Sequence, residues 1–279
     1  VSERSLAVLG HPVAHSLSPA MHTAAYRLLG LDWAYGRADV REHELAGFLE
    51  GLGRSWRGIS ATMPLKEELA RLGTDGDRDV QLTGAANTLL LADDGRRIVR
   101  NTDVVGVERS LRGAGLRDAE HAVLVGAGAT ARSVVVALDA LGVRGITVAV
   151  RDAARAVGIR ALAEELGLEF DAVALGDLAA VVEETDVVAW TLPNGVLLDE
   201  ELPVRAREHA VALDVTYHPW PGPLAAQWLA AGGRVASGRD MLLHQAVRQV
   251  RLFVSGQTDV PLEAEEAVEA AMAAALVKD

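Results

Sequence analysis

The sequence predicts an α/β chain in two parts: a mixed α/β N-terminal domain, then a domain built on a doubly wound parallel sheet. Three observations carry that prediction. From about residue 104 to about 237, short apolar strands alternate with helical segments, as a parallel sheet covered by helices requires. Before that point the pattern is less regular and includes a hairpin signal, Asp93-Asp94-Gly95. Half of the 279 residues are apolar, enough for a buried core in one large or two modest domains.

The elements follow in order. Leu6-Ala7-Val8-Leu9 reads as a strand running into a loop at Gly10-His11-Pro12. Ser18 is expected to cap the next helix, with Pro19 at its first position. Met21, Ala24, Ala25 and Leu28 form the apolar face of that helix, and Gly30 stops it. A polar helix is expected around 42–51. A strand then runs into a loop over 58–64, and 65–72 reads as helical. Residues 86–91 and 97–99 flank the hairpin turn. Further strands are expected at 122–125, 145–150, 186–191, 210–216 and 234–236, with helices between most of them. The end reads as two helices, 240–255 and 262–276. The domains are therefore expected at 1–104, completed by 238–279, and at 105–237 between them. No long linker separates the halves.

The sharpest local signal is Val123-Leu124-Val125-Gly126-Ala127-Gly128-Ala129-Thr130-Ala131. A strand ends, Gly126 permits a tight turn, and Gly128 lets backbone approach a pyrophosphate. Ala131 takes the third, close-packed position. The helix that follows offers its first N–H groups and the positive end of its dipole. This reads as a Rossmann-type dinucleotide-binding unit. The end of its second strand selects the cofactor. An acid there would meet the ribose 2′-hydroxyl of NAD, but this strand ends in Val150-Arg151, with Arg155 four residues on. Two arginines at that spacing suit a 2′-phosphate, so NADP is favoured. Asp152 keeps NAD open, since it can pair with Arg155 or meet a 2′-hydroxyl.

Composition excludes several classes. Lys plus Arg total 27 against 39 Asp plus Glu, a net charge of −12, which argues against nucleic acid as a partner. The chain has no cysteine, hence no disulfide, thiolate metal site or Cys nucleophile. No apolar stretch reaches the roughly 20 residues of a membrane span. The first residues, Val1-Ser2-Glu3-Arg4, lack the apolar core of a signal peptide. A cytoplasmic protein, monomeric or homodimeric, is expected. His11 and His15 are four apart, but Pro12 prevents a regular helix there and no carboxylate cluster is nearby, so no metal site is expected.

Five short motifs remain: Ser16-Leu17-Ser18-Pro19, Thr62-Met63-Pro64-Leu65-Lys66, Ala86-Asn87-Thr88, Asn101-Thr102-Asp103 and Met241-Leu242-Leu243-His244-Gln245-Ala246. Each alone has a plain structural explanation. Their order around the nucleotide-binding unit resembles the shikimate dehydrogenase family over nearly the whole chain. The resemblance implies two α/β domains with a cleft between them, and NADPH-dependent reduction of 3-dehydroshikimate to shikimate in aromatic amino-acid biosynthesis. It implies that Ser16 and Ser18 bind the substrate carboxylate, and that Thr62, Asn87 and Gln245 hold the ring hydroxyls. Lys66 and Asp103 match the pair beside the reacting centre, and Tyr217 an aromatic near the substrate. Gly126, Ala127, Gly128, Ala129, Thr130, Arg151, Arg155, Val215 and Gly238 match cofactor contacts. The chemistry agrees: a polyol acid needs neutral donors and acceptors, and a reduced ketone leaves an oxyanion that an ammonium can stabilise and protonate.

The chain departs from the common pattern at Ser60, a place often held by Asn, and at Ala61, Val104, Ala129 and Val150. Rival readings are an NAD-preferring quinate/shikimate dehydrogenase, a folate-type dehydrogenase/cyclohydrolase, and a dinucleotide sensor without chemistry. The serine pair and the Lys66–Asp103 spacing speak against the second. Retention of both residues speaks against the third. The loop Thr191-Leu192-Pro193-Asn194-Gly195 is expected to line the ligand crevice near the nicotinamide.

Overall fold

The computed structural model describes residues 3–193, 195–198 and 200–276. Asn194, part of the expected crevice loop, lies outside them, as do Val1 and Ser2. The chain forms two compact units, Val1–Thr102 with Leu243–Asp279, and Asp103–Leu242.

The first unit begins with β1 (Arg4–Gly10), α1 (Ser18–Leu28) and β2 (Trp33–Asp39). A 3₁₀ turn, Glu42–Glu44, leads into α2 (Leu45–Glu50), followed by β3 (Trp56–Ala61) and α3 (Lys66–Leu72). Then come β4 (Asp75–Gly76), α4 (Arg78–Thr83), β5 (Thr88–Leu91) and β6 (Arg97–Arg100). The sheet order is β2-β1-β3-β5-β6-β4. β1 runs parallel to β2 and β3, while β5 is antiparallel to both β3 and β6. Leu9, Leu45, Ile59, Leu65, Leu69 and Leu89 make the core beneath it.

Several expectations are corrected here. Ser18 is not the cap of α1: Leu17 holds that position, Ser18 is the first helical residue, and no side chain caps the end. The polar helix of 42–51 opens as a 3₁₀ turn before Leu45. β2, β4 and α4 have no counterpart among the elements expected from the sequence. β2 is a sheet edge with a single buried residue, Tyr35, so it shows no apolar alternation. α4 is only about one and a half turns long, opened by Asp77, whose carboxylate accepts from Val80 N at 3.0 Å.

The second unit runs α5 (Asp103–Gly113), β7 (His121–Val125), α6 (Ala129–Ala140) and β8 (Gly145–Val150). It continues with α7 (Val157–Leu166), β9 (Glu169–Ala174), α8 (Leu178–Val181), β10 (Val187–Trp190) and α9 (Val204–His209). It ends with β11 (Val211–Asp214), α10 (Pro223–Ala230) and β12 (Arg234–Ser237). The strand order is β12-β11-β10-β7-β8-β9 with every pairing parallel. Renumbered from β7, that is 6-5-4-1-2-3, the Rossmann order. β8, β10 and β11 are buried at every position, as strands covered on both faces must be. β9, an edge strand with no fully buried residue, was not anticipated. β10 and β11 are shorter than expected, because Thr191 and Val215 already belong to the loops beyond the carboxyl edge. α11 (Gly238–Ser255) carries the chain from the second unit back into the first, where α12 (Glu265–Leu276) closes it. Among the described residues no helix is long and apolar enough to cross a membrane.

Candidate active site

Strand direction gathers the N-terminal motifs at one edge. β1 and β3 are parallel, so Gly10 and Ala61 end on the same side. β5 runs back antiparallel to β3, which puts its start, Asn87-Thr88, beside the end of β3. β6 reverses again and delivers Asn101-Thr102 there too. Backbone bonds fix the set: Thr62 N to Leu9 O at 2.9 Å, Ala61 N to Asn87 O at 2.8 Å, and Asn87 N to Arg100 O at 3.1 Å. Ser16 is half-buried, and its hydroxyl accepts from the N–H of buried Ser18 at 3.4 Å. Lys66 opens α3, half-buried, and its carbonyl accepts from Ala86 N at 2.8 Å. That bond ties the lysine's backbone to the residue before Asn87.

Behind this edge lies a buried amide and hydroxyl cluster. The Asn87 carbonyl oxygen accepts from the Thr102 N–H at 2.9 Å and the Thr88 hydroxyl at 2.8 Å. Its amide nitrogen donates to Gln245 Oε1 at 3.2 Å. Gln245 Oε1 also accepts from Gln249 Nε2 at 2.7 Å, and Thr102 Oγ1 lies 3.2 Å from it. Gln249 Oε1 accepts from the Ser60 hydroxyl at 2.7 Å and faces His22 Nε2 at 3.2 Å. The Tyr35 hydroxyl donates to Ser60 at 2.7 Å, and His22 stacks on the Tyr35 ring at 4.0 Å. Burial lowers the His22 pKa to about 3, with the Gln249 bond acting in the opposite direction. The imidazole is therefore neutral. Burial likewise pushes the Tyr26 and Tyr35 hydroxyls up.

Of the predicted residues in this unit, Asn87 and Gln245 touch directly, although 158 positions separate them. Gln249, His22 and Tyr35 were missed. Gln249 sits one helical turn after Gln245 on α11, and that i,i+4 spacing was the available signal. His11 pairs with Asp39 at 2.6 Å. Among the described residues no group of three or more His, Asp or Glu is placed to hold a metal.

The second unit presents backbone instead. Gly126 has φ +108°, and a Cβ there would lie 2.6 Å from Thr191 Oγ1. Only glycine meets both conditions. The turn is pinned by Gly126 N to Ala149 O at 3.2 Å and by Thr191 Oγ1 to Val125 O at 2.8 Å. Gly128 is the cap residue of α6, and no side chain caps that end. A Cβ at Gly128 would meet nothing within 4 Å, so the backbone faces open space. Ala127, Ala129 and Thr130 flank that opening, and buried Ala131 packs inward. The turn lies at the carboxyl ends of β7 and β10, where the strand order reverses.

Arg151 and Arg155 are exposed on the segment after β8, and neither forms an ion pair among the described residues. Asp152 caps the 3₁₀ turn Ala153–Ala156 by accepting from Ala154 N at 2.9 Å. Its carboxylate therefore has a structural task. Val215 and Gly238 meet: a Cβ on Gly238 would lie 2.4 Å from Val215 O, so only glycine lets the start of α11 pass there. Tyr217 is half-buried, its hydroxyl pushed up by burial, and its carbonyl accepts from Arg239 Nε at 3.4 Å. Asp103, 4 % exposed, is the first residue of α5. An open helix start, a backbone cradle and two unpaired guanidiniums fit a phosphorylated dinucleotide.

Two family models match the chain: the shikimate dehydrogenase substrate binding domain over residues 8–89, and shikimate / quinate 5-dehydrogenase over residues 112–210. A shikimate dehydrogenase (NADP(+)) of Rubrobacter xylanophilus is 33% identical over 259 residues, 91% of each chain. The chain belongs to the shikimate dehydrogenase family. Its fold matches the crystal structure of the Mycobacterium tuberculosis shikimate dehydrogenase at a TM-score of 0.86 and 39% identity, covering 97% of this chain and 99% of that one. The Thermus thermophilus shikimate 5-dehydrogenase, solved in complex with NADP(H) and shikimate, matches at 0.80 and 34% identity, covering 98% and 99%. The first model runs from Val8 in β1 to Leu89 in β5 and includes Ser16, Thr62, Lys66 and Asn87, and the second includes the phosphate turn and the arginine pair.

Proposed function

We propose that this chain reduces 3-dehydroshikimate to shikimate with NADPH, reversibly, as an enzyme of aromatic amino-acid biosynthesis working in the cytoplasm. The observation that carries the reading is the pairing of two edges in one chain. One bears the hydroxyl and amide set with Lys66. The other bears a phosphate turn whose second strand is followed by arginine, with no acid at its end. Residues 1–104 with 238–279 are the proposed substrate-binding and catalytic domain, and 105–237 the dinucleotide-binding domain.

When bound, NADPH supplies the hydride that reaches the substrate's keto carbon. The chain's own residues do the rest. The α6 N-terminus and the Gly126–Thr130 backbone hold the pyrophosphate, and Arg151 and Arg155 hold the 2′-phosphate. Val215 and Gly238 shape the wall for the rest of the dinucleotide. Ser16 and Ser18 bind the substrate carboxylate through hydroxyls, which needs no buried cation. Thr62, Asn87 and Gln245 orient the ring hydroxyls, and Tyr217 lies along the ring. The Lys66 ammonium stabilises the oxyanion and delivers a proton to it, while the Asp103 carboxylate accepts from a substrate hydroxyl.

The test is an absorbance assay at the nicotinamide band, crossing shikimate or quinate with NADP⁺ or NAD⁺. The highest kcat/KM is expected for shikimate with NADP⁺. A higher value for quinate with NAD⁺ would replace the substrate and cofactor assignment. Binding of NADPH without turnover of either acid would reduce the chain to a sensor.

A further inference from the structure

The hydrogen-bond directions in the buried cluster are fixed by one group that has no choice. A backbone N–H can only donate. The Thr102 N–H points at the Asn87 side chain at 2.9 Å, so that atom is the oxygen and the other end of the amide is the donor. Asn87 therefore donates to Gln245, and the Gln245 atom facing it is Oε1. The same oxygen lies 2.7 Å from the Gln249 amide, which must then present its nitrogen. Gln249 turns its own oxygen the other way, toward Ser60 and His22, and both must donate to it. Ser60 can do so because its lone pair takes the Tyr35 proton. Neutral His22 can do so as the Nε2–H tautomer, its Nδ1 facing the Tyr26 hydroxyl at 3.1 Å.

We infer that Gln249 is a positioning residue. It holds Gln245 with its oxygen turned inward and its –NH₂ end toward the substrate, and Ser60, His22, Tyr35 and Tyr26 stand behind it as one directed chain. This deepens the proposed function and rests on Gln245 holding a ring hydroxyl. Two donors, Asn87 and Gln249, converge on Gln245 Oε1 from different segments. Gln245 thus acts as a donor and recognises an acceptor oxygen. Ser60 bonds to Gln249, and Gln249 in turn bonds to Gln245, so Gln249 bridges the two.

Steady-state kinetics on the full chain test this. Gln249→Met keeps the side-chain length and removes both the donor and the acceptor. It is expected to raise KM for shikimate about tenfold, the loss of one buried neutral hydrogen bond, with KM for NADP⁺ unchanged. Gln249→Glu is expected to raise it further, because a carboxylate cannot donate and Gln245 must reverse its amide to meet it. The decisive comparison is the double variant. Gln249→Met added to Gln245→Ala should change nothing more, since there is nothing left to position. A multiplicative increase would overturn the inference, as would an unchanged shikimate KM in folded Gln249→Met or Gln249→Glu. An unchanged KM in Gln245→Ala would instead overturn the substrate reading of Gln245, and the inference with it.

Discussion

The carboxyl edges of the two sheets offer their ligands different things. At the second sheet the groups are backbone: a turn at Gly126, an open Gly128 and an uncapped helix start, contiguous in sequence. At the first sheet they are side chains from five separated segments, and Asn87, Thr102, Gln245 and Gln249 are bonded to one another before a ligand arrives. A backbone site needs only small residues in the right order to exist. A side-chain site needs a second layer to set rotamers and amide orientation. Substitutions at the first edge should therefore disturb shikimate parameters, and substitutions at the second should disturb dinucleotide parameters.

The largest effect expected from that division is at Lys66. Lys66→Ala should lower kcat about 10²–10⁴-fold, the usual range for losing a positioned acid. KM for both ligands should stay within a few-fold, because the ammonium acts mainly on charge that develops in the transition state. A wild-type kcat would remove Lys66 from the chemistry.

Next comes pH. The second edge's turn, Gly126–Thr130, holds no titratable side chain, whereas the first edge has His22 buried behind it. The folded-state pKa of about 3 lies below the unfolded value of 6.5. Between those values the unfolded chain binds the extra proton. Stability from this group is therefore complete above pH 6.5 and falls as pH drops toward 3, by at most about 1.4 kcal/mol per pH unit. Urea unfolding from pH 8 to pH 4 should show that slope in the wild type. His22→Phe, which keeps the ring stack on Tyr35, should lack it. Equal slopes would mean that His22 is protonated in the folded protein.

The same contrast explains what could be read from the residues beforehand. The phosphate turn was legible in full because its logic is local: strand, two glycines, helix, and arginine where an acid would stand. The parallel sheet was legible from its buried runs. β2 and β9 were not, since edge strands bury too little to alternate. In the first unit the residues that touch the ligand in the proposed reading were named from their motifs, but Gln249, His22 and Tyr35 were not. Their role depends on a packing of α11 against β3 and α1 that no local pattern encodes. Ser18 shows the limit from the other side. Its Ser-Pro pair reads as a helix cap, yet its side chain caps nothing.

At the second edge, a methyl group on Gly126 is the sharpest disturbance. Gly126→Ala meets Thr191 and an unfavourable φ together, and should cost about 1–3 kcal/mol of stability. It should raise KM for NADP⁺ with little change in that for shikimate. A shikimate KM that rises in parallel would show that the two edges do not respond separately.

The smallest effect, and the finest test of the division, is at the arginine pair. Arg151 and Arg155 are side chains on the backbone edge, and they are exposed. Water and salt screen what they contribute, so each is expected to matter less than a buried group would. Replacing either by Ala should raise KM for NADP⁺ about tenfold at low salt, the size expected for one charge-assisted contact to a phosphate. KM for NAD⁺, which lacks that phosphate, should not move, and added salt should shrink the difference between the two cofactors. If both KM values rise together, the arginines shape the turn rather than read the phosphate. Cofactor choice would then have to come from the loop backbone that Asp152 already holds.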